Sequence, residues 1–496
     1  MKDHRKSDRV VVPEKRPNKA QGRAAEDVEG RTLTKGNTGE SGGTQTQSWK
    51  LVPMPGLDRV REAARRDRKM QFTSLLHHVD EAALLRAFRT INRNATAGVD
   101  GMTWAQYEEE AGERLRDLCG RIHRGAYRPQ PSRRTYIPKA DGTKRALGIA
   151  ALEDKIVQAA VSAVLGAIYE VDFLGFSYGF RPGRGQHDAL DALSVAIQTK
   201  KVNYILDADI RGYFDTIDHA MLLQLVQKRV ADPRVLRLIE RWLEAGVVDE
   251  GRWKASEAGT PQGATISPLL ANIYLHYVLD QWALAWRQSS ARGEVVIVRY
   301  ADDFIVGFQY EQDAKAFQTA LQVHLHEFRL ELHPDKTRLI EFGRYAVERR
   351  KNRGEGKPST FNFLGFTHIC EATEKGFWVK RIPRKEKIRA TLKELKTALR
   401  RVMHEPISRV GAWLKRVLDG YYAYYAVPGG LWPLSKMRRQ LGYLWYKVLL
   451  RRDQLRALTW ARMTPIVDKW LPQPHLMHPL PAVRFAVRTR GRSPVR

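Results

Sequence analysis

The chain has 496 residues, 43% of them hydrophobic and two of them cysteine, with a formal net charge of +29 and a pI near 10.1. Such a length suits two or three globular domains, and two cysteines exclude a disulfide framework within the chain and any zinc site built on paired CxxC. No apolar run approaches the ~20 residues that cross a bilayer, and the charged start MKDHRKSDRVVVPEK lacks the apolar stretch of a secretion signal.

In chain order, residues 1–55 mix Gly, Thr, Ser, Lys and Glu, as in KGNTGESGGTQTQS. Too little apolar surface is present to offset ordering entropy, so this segment reads as a disordered, basic leader. LLHHVDEAALLRAFRTI (75–91) has helical spacing, and the Gly-punctuated NRNATAGVDG follows as a turn. LEDKIVQAAVSAVLGAIYEV (152–171) and AKAFQTALQVHLHEFRL (314–330) read as helices, and VNYILDADI (202–210) as a strand. VVIVRYADDFIVGF (295–308) reads as a hairpin turning at Tyr300–Ala301–Asp302–Asp303. Strands and helices interleave without regular βαβ alternation, which favours α+β.

After Arg384 the pattern is helical only. Three stripes emerge: Ile388, Leu392, Leu395, Leu399 and Val402; Val410, Leu414, Val417 and Tyr421; Leu434, Met437, Leu441, Leu444 and Val448. They predict a small bundle with basic outer faces. The tail from Leu471, rich in Pro and Arg, reads as irregular. From Lys380 onward 27 basic residues stand against 6 acidic ones, +21 of the total +29. Solubility does not require that concentration; a nucleic-acid partner accounts for it, because each phosphate contact releases counterions.

The chemistry points to the carboxylates. Asp302 and Asp303 interrupt apolar strands, where buried carboxylates are costly unless paired or bound to metal. A second acidic strand, NYILDADIRGYFDTIDH (203–219), ends in Asp207 and Asp209, two apart and so on one face. Asp215 and Asp218 read as turn and N-cap residues, and Asp207 is open to a structural role. Two acidic strand ends side by side suit hard, oxygen-preferring Mg²⁺, and a pair of such ions serves in-line phosphoryl displacement. By spacing alone the chain is a candidate metal-dependent phosphotransferase. His324, His326 and His333 have no Cys or carboxylate at zinc-ligand spacing and read as solvated.

YADD between apolar strands resembles the metal-binding hairpin of reverse transcriptases. It comes in order with GVDG (98–101), IPKADGTKRALGIAALEDKIVQ (137–158), YGFRPGRGQHDAL (178–190), DADIRGYFDTIDH (207–219), GTPQGATISPLLANIYLHYVLD (259–280), LELHPDKT (330–337) and FNFLGF (361–366). The PQGATISPLLANIYL and GFRPGR forms, with GYYAYYAVPGG (420–430) in a basic helical segment, are similar to group II intron-encoded reverse transcriptase/maturases.

The resemblance implies an α+β right-hand polymerase, with fingers and a ferredoxin-like palm sheet followed by an all-α thumb/maturase bundle. It sets an N-terminal extension and fingers at 56–200, the palm at 201–379, the thumb and maturase-specific domain at 380–455 and a basic DNA-binding tail at 456–496. It assigns Asp209, Asp302 and Asp303 as catalytic carboxylates holding two Mg²⁺ ions; the residues alone favour Asp209 and Asp302. Phe214 matches the aromatic that disfavours a 2′-hydroxyl, with plain core packing as the alternative. Lys139 and Arg145 flank the turn ADGT and match triphosphate contacts, and Gln262 and Gly263 match a block near the template base and incoming nucleotide. Lys336 matches a proposed proton donor to pyrophosphate or is a turn lysine. FNFLGF resembles a primer-supporting hairpin or supplies core aromatics. Arg484, Arg488, Arg490 and Arg492 fall in the DNA-binding segment.

The resemblance therefore implies an RNA-directed DNA polymerase and maturase. Its partners are group II intron RNA, target DNA or primer, and dNTPs, in a bacterial cytoplasm, nucleoid-associated when bound to DNA. The alternatives are an RNA-binding splicing factor with an inactive polymerase, and a stand-alone reverse transcriptase of another element. Many relatives end in an endonuclease with paired cysteines; none occurs up to Arg496, so priming from a nick supplied otherwise is expected.

Overall fold

The computed structural model describes residues 56–138, 144–256, 258–373, 376–452 and 458–489. It opens with helices α1 (Leu57–Arg66), α2 (Glu81–Thr90), α3 (Trp104–Glu108) and α4 (Ala111–His123). The single helix expected over 75–91 is split. Leu76–His78 form a 3₁₀ turn, and Asp80 then starts α2 by accepting the Ala83 N–H at 2.7 Å.

The hairpin β1 (Ser132–Pro138) and β2 (Lys144–Ile149) leads into α5 (Leu152–Asp172), which is apolar on nearly every face and buried accordingly. Helix α6 (Gln186–Thr199) and strand β3 (Tyr204–Asp209) follow, then α7 (Tyr213–Thr216), α8 (His219–Gln227) and α9 (Pro233–Glu244). Strands β4 (Val247–Asp249) and β5 (Arg252–Lys254) return to the first hairpin, giving a sheet of order β2-β1-β4-β5.

Asp232, which precedes α9, shows how these parts are tied. Fully buried, it accepts the N–H groups of Leu75 (2.7 Å), Leu76 (3.0 Å) and Arg234 (3.0 Å). Burial alone would raise its pKa, but these hydrogen bonds and the Arg234 side chain lower it to about 2. Asp232→Ala should therefore cost about 1–3 kcal/mol of stability at neutral pH, by leaving buried donors unmet. A depressed carboxylate stabilises above its unfolded pKa and loses that contribution as pH falls through the folded one. Thermal melts of the two proteins should accordingly converge as pH is lowered toward about 2.

The second half begins with α10 (Ser267–Leu275), a π-helical turn over His276–Asp280 and α11 (Gln281–Ser289). Strands β6 (Val295–Tyr300) and β7 (Asp303–Phe308), helix α12 (Glu311–Glu327) and strand β8 (Arg338–Glu341) complete an antiparallel sheet of order β6-β7-β3-β8. Alternation along its strands splits the core in two. Leu206, Ala208, Phe304 and Val306 face the cluster built with the N-terminal helices, α5 and α10. Ile205, Val296, Val298 and Ile305 face a second cluster shared with α6 and the C-terminal bundle. The central sheet is covered on both sides, which is why its strands read as near-continuous apolar runs.

Helix α13 (Arg344–Asn352) precedes a third sheet of order β11-β10-β9, from β9 (Phe361–Phe363), β10 (Phe366–Thr373) and β11 (Gly376–Pro383). The bundle comprises α14 (Lys385–Arg401), α15 (Ile407–Tyr425), α16 (Leu431–Arg452) and α17 (Trp460–Trp470). The three predicted stripes supply its core through Leu395, Leu399, Leu414, Val417, Leu434 and Leu441, joined by Met463 and Val467 from α17. The tail read as irregular holds one more helix, α18 (Pro481–Thr489), which packs on α6.

Candidate active site

The tip of the β6–β7 hairpin and the end of β3 meet. Asp209 lies directly opposite Asp303 in the ladder, and Tyr300 pairs with Asp303 across the turn. The turn is as predicted, with Ala301 in the left-handed region at φ 57°. Asp302 follows it at the apex, and all three carboxylates are half-buried.

The β3 end also touches the segment after α12. His333 N–H donates to the Asp209 carbonyl (2.8 Å), and Ile210 bridges Leu332. Lys336 thereby reaches the Asp209 carboxylate, Nζ to Oδ2 2.6 Å. Burial, then the neighbouring Asp209 charge, pushes the Asp302 carboxyl above the usual range, while its own backbone N–H, Arg145 and Lys336 pull the other way. These neighbouring carboxylates, flanked by cations from β2 and from the loop at 336, form the electrostatic centre.

A loop from the first half closes the site. Gly148 of β2 donates its N–H to the Gln262 carbonyl (2.7 Å), and Thr265 N–H donates to the buried Gln158 Oε1 on α5 (2.9 Å). Gly263 has φ 112°, and a Cβ there would lie 2.6 Å from the Gly148 carbonyl oxygen. The loop thus holds Gln262 and Gly263 against the strand that carries Arg145. Gly263→Ala should break this contact, at a cost of about 1–3 kcal/mol. A thermal melt measures it. Phe214 belongs to the same assembly, its carbonyl accepting the Thr260 N–H (2.7 Å). Its ring packs edge-on against Tyr213, whose hydroxyl donates to the Ala271 carbonyl (2.6 Å).

Some sequence readings hold and others change. Asp207 pairs with Arg338 (3.2 Å), the structural role left open for it, and Asp218 caps α8 through Met221 N–H (2.9 Å). His324 is not solvated: its ring stacks on Trp282 (4.9 Å) and its Nε2 lies 2.8 Å from the Val278 carbonyl. Phe361, Phe363 and Phe366 are buried in the second core, as are Tyr421, Tyr422, Tyr425 and Trp445. Arg484 turns inward, forming an ion pair with the buried Asp191 (2.7 Å) and contacting His478 Nδ1 (2.9 Å). A helix that must cover α6 spends that arginine on packing. Lys139, Arg490, Arg492 and the side chain of Arg488 lie outside the described residues.

Asp303 lines a recess of about 170 Å³ between sheet and bundle, with Asn362, Leu364, Arg384, Tyr424 and Tyr425. Among the described residues no three His, Cys, Asp or Glu side chains converge tightly enough to hold an ion. Asp209 and Asp302 lie close enough for the charge of Asp209 to act on Asp302. Their oxygen-only donors and mutual repulsion fit a hard divalent cation, which would relieve the charge that burial penalises.

A four-stranded antiparallel sheet with carboxylates at the end of β3 and at the turn of its β6–β7 hairpin, approached by a glycine loop, has the form expected of the palm of a nucleotide-polymerising enzyme. The family description "Reverse transcriptase (RNA-dependent DNA polymerase)" matches residues 137–368. Protein YkfC of Escherichia coli K12 is 33% identical over 302 residues, covering 52% of this chain and 78% of that protein. The group II intron-encoded protein LtrA of Lactococcus lactis is 37% identical over 199 residues, covering 40% of this chain and 33% of LtrA. A 91 kDa protein in the cob intron of Schizosaccharomyces pombe is 45% identical over 152 residues, 31% of this chain and 18% of its own length. The chain belongs to the reverse transcriptase family, and it is similar to group II intron-encoded members. The match spans about a third of LtrA. Among the described residues no helix is long and apolar enough to cross a membrane.

Proposed function

We propose that this protein is an RNA-directed DNA polymerase that copies a group II intron RNA by extending a primer 3′-hydroxyl, and that it acts as a maturase aiding the folding of that RNA for splicing. The observation carrying the polymerase reading is the meeting of Asp209 and Asp302 at the strand ends, with Arg145, Phe214, Gln262 and Gly263 arranged around them. Asp209 and Asp302 would hold Mg²⁺, with Asp303 contributing to the second ion or to the turn. When bound, two such ions lower the pKa of the attacking hydroxyl and steady the departing pyrophosphate.

The chain's own residues do the rest. Arg145 supplies positive charge beside Asp302 for the triphosphate. Gly263 brings backbone close to the nucleotide, and Phe214 occupies the space a 2′-hydroxyl would need. Lys336 pairs with Asp209; in this reading it would give a proton to pyrophosphate, the alternative being a turn lysine. Lys336 is exposed, so the pair's worth to stability is small.

The maturase reading rests on the intron-encoded relatives and on the bundle surface. Helix α16 carries no acidic residue and exposes Trp432 and Tyr443, with Lys436 over one ring (5.5 Å) and Lys447 over the other (4.6 Å). Cations beside exposed rings suit phosphates and unstacked bases together. Target DNA is the further partner of this reading, with Arg484 withdrawn from it.

The test is dNTP incorporation on an intron RNA template with a DNA primer and Mg²⁺, run beside a splicing assay of the same RNA. Extension and splicing together are expected. Splicing without extension establishes the splicing-factor reading instead, and extension without any effect on splicing establishes a stand-alone enzyme.

A further inference from the structure

Arg299, next to last in β6, has a fully buried side chain, an arrangement that is costly unless every donor is met. Every donor is met. Nε and Nη2 donate to the Asp280 carboxylate (2.7 and 2.6 Å), Nη2 also to Ser177 Oγ (2.8 Å), and Nη1 to Asn272 Oδ1 (3.0 Å). The remaining Nη1 hydrogen goes to the carbonyl of Ala301 (2.9 Å). These bonds use all five hydrogens of the guanidinium fork.

The group at the end of that fork is the turn itself. Ala301 is the left-handed residue that separates Tyr300 from Asp302, a conformation a residue with a Cβ holds only under external restraint. The restraint comes from two sides. The carbonyl is fastened by Arg299, and the amide side is backed by Gly179, where a Cβ would stand 2.2 Å from Ala301 N. Gly179 is held in turn, its carbonyl accepting from Asn272 Nδ2 (2.7 Å). The backbone of Arg299 pairs with the same segment, donating to Phe176 O (2.9 Å) and accepting from Tyr178 N–H (2.8 Å). Asp280 and Asn272 are buried as deeply as Arg299, so the fork is anchored in the packed π-turn and α10 rather than on a mobile surface.

We propose that Arg299, with Asp280 and Asn272 behind it, is a positioning residue that holds the Ala301 turn in its left-handed form and so presents Asp302 beside Asp209. The proposal rests on the polymerase reading of those carboxylates. A buried ion pair is poor support for stability as such, because apolar replacements of similar volume are often neutral. What an apolar replacement cannot supply is the bond to the Ala301 carbonyl.

The test follows from that difference. The double variant Arg299→Met/Asp280→Leu removes both charges together. It should fold, keep template–primer affinity and dNTP KM within about twofold, and lose kcat by about 10²-fold, the effect of a small misplacement of reacting groups. Amide exchange of residues 300–303 should quicken by at least about tenfold while the rest of β6 and β7 keeps its protection. Arg299→Lys is the second variant: it preserves the charge facing Asp280 but gives up the fork, and should show the same selective loss. Unchanged kcat and unchanged turn exchange in a folded variant overturn the proposal, as does a loss of protection spread through the whole sheet. A wild-type protein that does not extend primers overturns the polymerase reading, and turn exchange still decides this one.

Discussion

Asp302→Asn is expected to reduce primer extension by a factor on the order of 10³ or more while leaving intron RNA binding intact, and at the same time to raise the melting temperature. The two effects have one origin. In the folded protein burial and the charge of Asp209 oppose ionisation of Asp302, so its pKa lies above the ordinary carboxylate value. A raised carboxylate stabilises the fold below its unfolded pKa and loses that contribution as pH rises through the folded one. At pH 8 without divalent cations the ionised wild type should therefore melt below the neutral Asn variant. The gap should close below about pH 4, where the carboxyl is protonated in both states. Added Mg²⁺ should raise the wild-type melting temperature and leave the variant nearly unmoved. A variant that loses activity and stability together would mean that Asp302 serves the turn and not an ion.

Phe214→Val is expected to raise ribonucleotide use relative to deoxyribonucleotide use by about 10²-fold, with dNTP incorporation changed only a few-fold. The ring is half-buried, set against Tyr213 and fastened through its carbonyl to the loop that carries Gln262. If the ring faces the sugar, it stands in a fixed position to exclude one added oxygen. Competition between rNTP and dNTP on one template measures the ratio. If the ring is core alone, the ratio stays constant and only the melting temperature falls, by an amount typical of a shortened buried side chain.

The palm was legible because its strands must be apolar on both faces, so any carboxylate inside such a run stands out. Asp209 and Asp302 were found that way, and Asp218 by its place before a helix. Phe214, Gln262, Gly263 and Lys336 were singled out only through resemblance, since isolated aromatics, glycines and lysines have many structural uses. Their convergence depends on contacts between residues far apart in the chain: Gly148 with Gln262, Gln158 with Thr265, Lys336 with Asp209. Arg299 was missed because an arginine inside a β-run reads as an edge or surface residue. The signal was present in VVIVRY, where a single cation stands in an otherwise apolar strand. Its partner Asp280 is 19 positions away, and pairing at that distance has no periodicity. Arg484 was misread for the converse reason: a basic tail looks solvated until α6 and Asp191 are seen beneath it.

By itself the sequence determined the hydrophobic alternation, and with it the hairpin, its turn at Ala301–Asp302 and the division between a mixed α+β part and a helical bundle. These follow from local period and composition, which each segment carries alone. Only the tertiary structure decided which cations neutralise which carboxylates, which aromatics are core, and what holds the turn open. Those outcomes are set by burial, where the cost of an unmet charge or hydrogen bond selects partners across the whole chain.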